Sequence, residues 1–145
     1  MTIVVFDIDG VLADATHREH FVLQRPKDWD AFFAAVGQDA VIEAGRNRLL
    51  AAARDHEIVL VSGRPERTRT DTQSWLDRNG MGSHRLVLRP DDDRRRAAVA
   101  KLELVEALAA VDSVAAIVDD DPSVVEALTA RGYPAEVFPP ADPLI

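Results

Sequence analysis

The sequence predicts an α/β fold: a doubly wound domain built on a central, parallel sheet. Two observations predict it. Five short apolar runs, at residues 3–6, 58–61, 86–88, 114–118 and 135–138, are continuous rather than alternating, as in strands covered on both faces. Helix-like stretches separate them, and strands alternating with helices build parallel βαβ units. Ligands of such sheets bind beyond the carboxyl ends of the strands, near the switch point. The residues that follow each run are therefore the first place to look for chemistry.

The first run ends in Asp7-Ile8-Asp9-Gly10. Alternation along an extended backbone puts Asp7 and Asp9 on one side and Ile8 on the other. Two carboxylates so close repel unless a cation or a shared proton relieves them. Mg2+ suits the task, because it takes hard oxygen ligands and keeps positions open for water and phosphate. Gly10 permits a sharp turn that brings backbone N–H groups near an anion. A plain strand-to-loop turn is the rival reading, since Asp and Gly are common turn formers. A calcium loop is a poorer one: counted from Asp7, its sixth and twelfth positions would be Leu12 and Arg18 instead of Gly and Glu.

Next, Trp29, Phe32, Phe33 and Val36 follow i, i+3, i+4, i+7 spacing and predict an amphipathic helix over residues 28–36, with at least two of the three rings in the core. The second strand ends in Ser62-Gly63-Arg64, where a hydroxyl can hold a phosphate oxygen, although Ser-Gly is also an everyday turn. Arg89 follows the third strand. Beyond it, Asp91, Asp92 and Asp93 precede Arg94, Arg95 and Arg96. These six either pair as a solvated face or lend their arginines to a basic rim. Ala98, Leu102, Val105 and Ala109 trace a further helical face; Lys101 within it is either functional or simply exposed. The fourth strand ends in Asp119-Asp120-Asp121. Three adjacent acids after a core strand are costly without a cation or basic neighbours. Asp121 alone can be a helix cap, with Pro122 at the first turn and Val124, Val125 and Leu128 inward. The proline-rich tail beyond Phe138 is expected to be loosely ordered.

Composition narrows the classes. At 145 residues and 47% hydrophobic content, one domain spanning 1–145 is expected. The net charge of −8 argues against a general nucleic-acid coat protein. No run reaches the ~18–20 apolar residues of a membrane helix, so no membrane association is expected. The N-terminus reads as a strand rather than a signal peptide. The absence of cysteine removes thiolate metal sites and fits the cytoplasm.

Four motifs in order give the chain its resemblance to the haloacid dehalogenase (HAD) superfamily of phosphotransferases: IVVFDIDGV, IVLVSG, the helical Lys101, and AAIVDDD. The resemblance covers residues 3–138. Val11 departs from it, standing where many members carry Thr. It implies a Rossmann-like three-layer sandwich with a small helical cap inserted at about residues 15–45. It also implies that Asp7 is the nucleophile, forming an aspartyl-phosphate, and that Asp9 protonates the leaving oxygen and then activates water. Mg2+ would be held by Asp7, the Asp9 carbonyl, Asp119 and Asp120, the last directly or through water. Ser62 and Lys101 would bind phosphate oxygens. The presence of Asp9 favours a phosphatase over a dehalogenase.

A closer similarity is to the phosphatase half of bacteriophage-type polynucleotide kinase-phosphatases, carried by VSGRPERTRTDTQSWL and LVLRPDDDRRRAAVAK. It implies substrate contacts from Gly10, Gly63, Arg64, Arg89 and Arg95, and a nucleotide or nucleic-acid 3′-phosphate as substrate. No GxxxxGK[ST] P-loop is present, so a separate kinase or ligase is a possible partner. Free nucleoside monophosphates, another small metabolite, or an inactive phosphate- or metal-binding role are the alternatives. His17 and His20 have no third metal ligand nearby in sequence and read as flap or surface residues, with a substrate-facing position as the alternative.

Overall fold

The computed structural model describes residues 2–140. In chain order, β1 (Thr2–Phe6) is followed by β2 (Ala13–Asp14), α1 (His20–Leu23), α2 (Trp29–Ala34), β3 (Ala40–Val41) and α3 (Glu43–Ala52). Then come β4 (Glu57–Pro65), α4 (Arg69–Arg78), β5 (Arg85–Arg89), α5 (Ala97–Ala109), β6 (Ser113–Asp119), α6 (Pro122–Ala130) and β7 (Ala135–Val137). The five strands expected from the apolar runs form one sheet in the order β5-β4-β1-β6-β7, every neighbouring pair parallel. The expected α/β doubly wound fold is therefore present. β2 and β3 form a small antiparallel ribbon outside this sheet, with Ala13 opposite Val41.

The continuous apolar runs follow from burial on both faces. Ile3 and Val5 of β1 join Val59, Val61 and Ile117 against Val105, Leu108, Val124 and Leu128 of α5 and α6. Val4 and Phe6 join Ile58, Leu60 and Val118 against Leu49 of α3 and Trp75 and Leu76 of α4. Each face thus takes alternate residues of each strand. The chain first winds outward from β1 through β4 to β5, then crosses by α5 to β6 on the other side of β1. That reversal opens a crevice at the carboxyl ends of β1 and β6, where such sheets bind ligands.

Two helix starts follow the expected chemistry. The Asp28 side chain caps α2 by accepting from the Ala31 N–H, and Asp121 caps α6 ahead of Pro122 by accepting from the Ser123 N–H. The helix expected over residues 28–36 is split, because α2 stops at Ala34 and Val36–Gln38 makes a 3-10 turn. The inward stripe of α5 is Lys101, Val105 and Leu108, with Ala98 and Leu102 at its margin. From residue 141 on, the expected loose tail lies outside the described residues. Among the described residues, no helix is long and apolar enough to cross a membrane.

Gly45 locks the inserted segment to the strand-end loop. It is buried in α3, and a Cβ there would overlap the Val11 carbonyl oxygen. The Ile42 N–H donates to the Leu12 carbonyl at 2.7 Å alongside it. Alanine normally strengthens a helix interior by ~1 kcal/mol over glycine. Here the sign reverses: Gly45→Ala is expected to cost about 1–3 kcal/mol in a denaturant melt. A stabilised Gly45→Ala variant would show that α3 does not need this close approach.

Candidate active site

At the carboxyl edge of the sheet, β1 delivers Asp7 and β6 delivers Asp119. The Asp7 N–H donates to the Val118 carbonyl at 2.9 Å, extending the β1–β6 ladder by one residue and holding the two acids side by side. Lys101 reaches them from α5, its ammonium 2.9 Å from Asp7 Oδ1 and 2.7 Å from Asp119 Oδ2. All three residues are buried. Lys101 is thus no exposed helix lysine. Burial alone would lower its pKa, but the charges of Asp7 and Asp119 outweigh that and hold it above the ordinary value. Asp7 goes the other way. Burial first, then the charges of Asp119 and Asp9, push its carboxyl well above the usual carboxylate range against the pull of Lys101.

One cation among these acids leaves an excess of negative charge. Asp7, Asp119 and Asp120 each offer a carboxylate oxygen, all within 4.8 Å of one another. A hard-oxygen donor set with excess negative charge fits Mg2+ better than it fits a softer metal. Gly10, with φ +81°, turns beneath them; a Cβ there would overlap the Asp120 carboxylate. Ser62 lies fully buried within β4, its Oγ accepting from the Arg64 N–H at 3.0 Å. Its own proton remains available to a phosphate oxygen.

Asp9 sits beside a buried ionic network. Arg64 donates to both of its oxygens, through Nε at 3.2 Å and a terminal nitrogen at 2.8 Å, and Arg18 adds a third bond at 2.8 Å. Both guanidiniums are also held from behind by Asp39, which accepts from Arg18 at 2.8 and 2.9 Å and from Arg64 at 2.9 Å. His17 Nε2 lies 2.6 Å from the same carboxylate, and Thr72 Oγ1 accepts from Arg64 at 3.0 Å. Burial would raise the Asp9 carboxyl, but the charge and hydrogen bonds of Arg64, with Arg18 behind them, bring it below its ordinary value.

Several placements differ from the sequence reading. Arg18, whose place the sequence left open, is fully buried. His17 is oriented by Asp39, whereas His20 meets Phe21 at a 38° tilt and a centroid distance of 4.0 Å. Arg95, expected to contact substrate, pairs here with Asp93 and Glu103, and its bonds hold the Asp93 pKa down to about 2. Gly63 and Arg89 do share a cavity wall. None of the three rings of α2 is buried: Trp29 is 47% exposed, and Phe32 and Phe33 are partly so. Asp39, Thr72 and the pairing of Arg18 were not anticipated, and only their meeting in space identifies them.

A parallel sheet with buried carboxylates and a lysine at its carboxyl edge is the build of hydrolases of the haloacid dehalogenase type. More narrowly, the chain belongs to the family of polynucleotide kinase PNKP phosphatase domains, whose model matches residues 1–136. It is a phosphatase domain. No curated protein is similar enough in sequence to match it. Among solved structures, a chain of a Pnkp1/Rnl/Hen1 RNA repair complex superposes with a TM-score of 0.77 at 23% identity, covering 97% of this chain and 43% of that one. The chain thus spans less than half the length of that relative. The class C acid phosphatase of Bacillus anthracis gives 0.69 at 15% identity, covering 99% of this chain and 68% of its own. A HAD family enzyme of Bacteroides thetaiotaomicron, solved with magnesium and inorganic phosphate, gives 0.60 at 10% identity, covering 98% and 96%.

Proposed function

We propose that this phosphatase removes the 3′-phosphate from a polynucleotide end, with Mg2+ bound and Asp7 as the nucleophile. The observation that carries the reading is the Lys101 ammonium between Asp7 and Asp119, with Asp9 beside them held by two arginines. Asp7, Asp119 and Asp120 would hold the metal together with the Asp9 carbonyl. Bound there, Mg2+ would neutralise charge on the carboxylates and on the transferring phosphoryl group. Asp7 attacks phosphorus, an acyl phosphate forms, and the ester oxygen leaves with a proton from Asp9. Water then gives a proton back to Asp9 and attacks the same phosphorus, releasing phosphate and the free Asp7 carboxylate. Ser62 and Lys101 carry the phosphoryl oxygens, and Lys101 offsets the charge that develops on them.

Asp9 must hold a proton for the first step, although Arg64 and Arg18 favour its carboxylate. An incoming phosphate competes for the Arg64 guanidinium, and the Asp9 carboxyl rises as it loses that partner. Family membership favours a polynucleotide end, as does the structural likeness to a chain of an RNA repair complex. That chain's greater length is consistent with a kinase or ligase acting beside this one. A cysteine-free composition is consistent with a cytoplasmic setting.

The test is phosphate release from a panel of 3′-phosphorylated oligonucleotides, 5′-phosphorylated oligonucleotides, free nucleotides and sugar phosphates. The 3′-phosphorylated strand is expected to be hydrolysed fastest, to stop in EDTA and to resume when Mg2+ is restored. Rapid turnover of a sugar phosphate, with the 3′-phosphorylated strand untouched, would overturn the substrate assignment. Unchanged turnover in chelator would overturn the metal.

A further inference from the structure

We infer that the cavity between α2 and the loops after β4 and β5 is a nucleobase subsite. It would take the base of the nucleotide whose phosphate enters the active site, and it rests on the reading of the substrate given above. The cavity has a volume of ≈ 430 Å³, and its walls include Trp29, Phe33, Gly63, Arg67, Arg89 and Arg94. That size lies in the range of small-molecule sites, about 300–1,000 Å³.

Its inner wall adjoins the phosphate-handling residues. Gly63 directly follows Ser62, and a Cβ on Gly63 would sit 3.9 Å from Lys101 Cε. Its outer wall is aromatic. Trp29 and Phe33 lie nearly parallel, at an interplanar angle of 22° and a centroid distance of 5.8 Å, while Phe32 meets both edge-on. Three rings left partly in water on a six-residue helix are costly unless something apolar covers them. A flat, polar-edged ring fits that surface, because every base offers a π-face whatever its sequence.

The basic residues supply what the rest of a nucleotide needs. Arg67 lies over the Phe33 ring at 5.2 Å, and its ion pairs to Asp30 and Asp91 are loose, at 3.8 and 3.9 Å. Among the described residues, Arg89 Nε is buried without a hydrogen-bond partner, and the bond from a terminal nitrogen to the Asp93 carbonyl is long at 3.5 Å. A guanidinium with unused donors in the wall of an aromatic cavity is suited to a sugar oxygen or to the next phosphate of the strand. The cavity therefore joins a stacking face to spare donors, with Gly63 of its wall next in sequence to Ser62 and close to Lys101.

The experiment compares kcat/KM for a 3′-phosphorylated oligonucleotide with that for the same strand made abasic at its 3′-terminal nucleotide. In the native protein the base is expected to be worth roughly tenfold or more. Trp29→Ala is expected to erase most of that ratio through KM, and Trp29→Phe to restore it. Binding gives a second readout, since Trp75 is buried and ligand quenching of fluorescence reports on Trp29. A nucleoside 3′-monophosphate should quench, and ribose 5-phosphate should not. If free nucleotide and strand perform alike, the base comes from a free nucleotide; if the strand is far better, it comes from a polynucleotide. Either result upholds the subsite. A ratio near one in the native protein, or an equal loss on both strands in Trp29→Ala, overturns it. If the 3′-phosphorylated strand is not hydrolysed, the substrate reading fails separately, and quenching alone decides whether the cavity takes a base.

Discussion

Asp7→Asn is expected to lower kcat by on the order of 10⁴-fold or more, while raising the thermal stability of the metal-free protein. The two effects have one origin. Asp7 is buried beside Asp119, with the Lys101 ammonium between the two acids, and burial with these neighbouring charges pushes its carboxyl up. Asparagine keeps the shape and the capacity to accept from the Ile8 N–H, which lies 2.8 Å from Asp7 Oδ1. It cannot form the acyl phosphate, so turnover through Asp7 ends. It also removes one of the negative charges that Lys101 balances. The pH dependence follows from the direction of the shift. A carboxyl with a folded pKa above its unfolded value contributes stability in acid, and that contribution is lost as pH rises through the folded value. In EDTA the Tm of Asp7→Asn should therefore gain on that of the native protein as pH rises from about 4 toward neutrality. Added Mg2+ should flatten the native curve and leave the variant with a smaller gain. Retained turnover in Asp7→Asn would refute the nucleophile assignment, and identical pH profiles in EDTA would refute the charge accounting.

What the sequence could disclose follows from how local each signal is. Continuous apolar runs announced the strands because burial on both faces removes polar residues from every position, as at Ile58, Val59, Leu60 and Val61. The acids at the ends of β1 and β6 were legible for the same reason, since a core strand does not end in carboxylates by accident. α4 was not identified; its inward residues are Thr72, Trp75 and Leu76, too few to mark a face. α3 rests on Gly45 and Leu49, and a glycine needed for close approach looks like a helix breaker. Periodicity found α2 but not what covers it, because a repeat of Trp29, Phe32 and Phe33 fixes a common face and leaves open whether that face meets the core or a ligand. Arg95 was legible both as a substrate residue and as one of six charges pairing on a solvated face, and its bond to Asp93, two positions away, is the local part of that pattern. The meeting of Arg18, Asp39 and Arg64 depends on two loops and a strand end converging. No spacing encodes it.

That convergence makes Asp39→Ala the second large expected effect. Asp39 is 6% exposed, and it accepts three hydrogen bonds from Arg18 and Arg64, which are 0% and 1% exposed. Alanine would leave two buried guanidiniums facing each other, with Asp9 as their remaining carboxylate partner among the described residues. Removing one member of a buried ion network costs roughly 3–5 kcal/mol. At about 2–4 °C per kcal/mol for a chain of this size, Tm should fall by on the order of 10 °C. The Trp75 indole N–H donates to the Asp39 backbone carbonyl at 2.7 Å, a bond the substitution keeps, so the loss belongs to the carboxylate. Asp39→Asn, which retains an acceptor without the charge, should fall between the two. It also separates positioning from mere stability. With Asp39 neutral, both arginines turn their full charge on Asp9 and lower its carboxyl further, so the fraction able to protonate the leaving oxygen declines. The fall in kcat on the alkaline side should then begin at lower pH in Asp39→Asn than in the native protein. An unmoved profile with a lowered Tm would leave Asp39 a purely structural residue, and an unmoved Tm in Asp39→Ala would mean that water or another acid replaces it between the arginines.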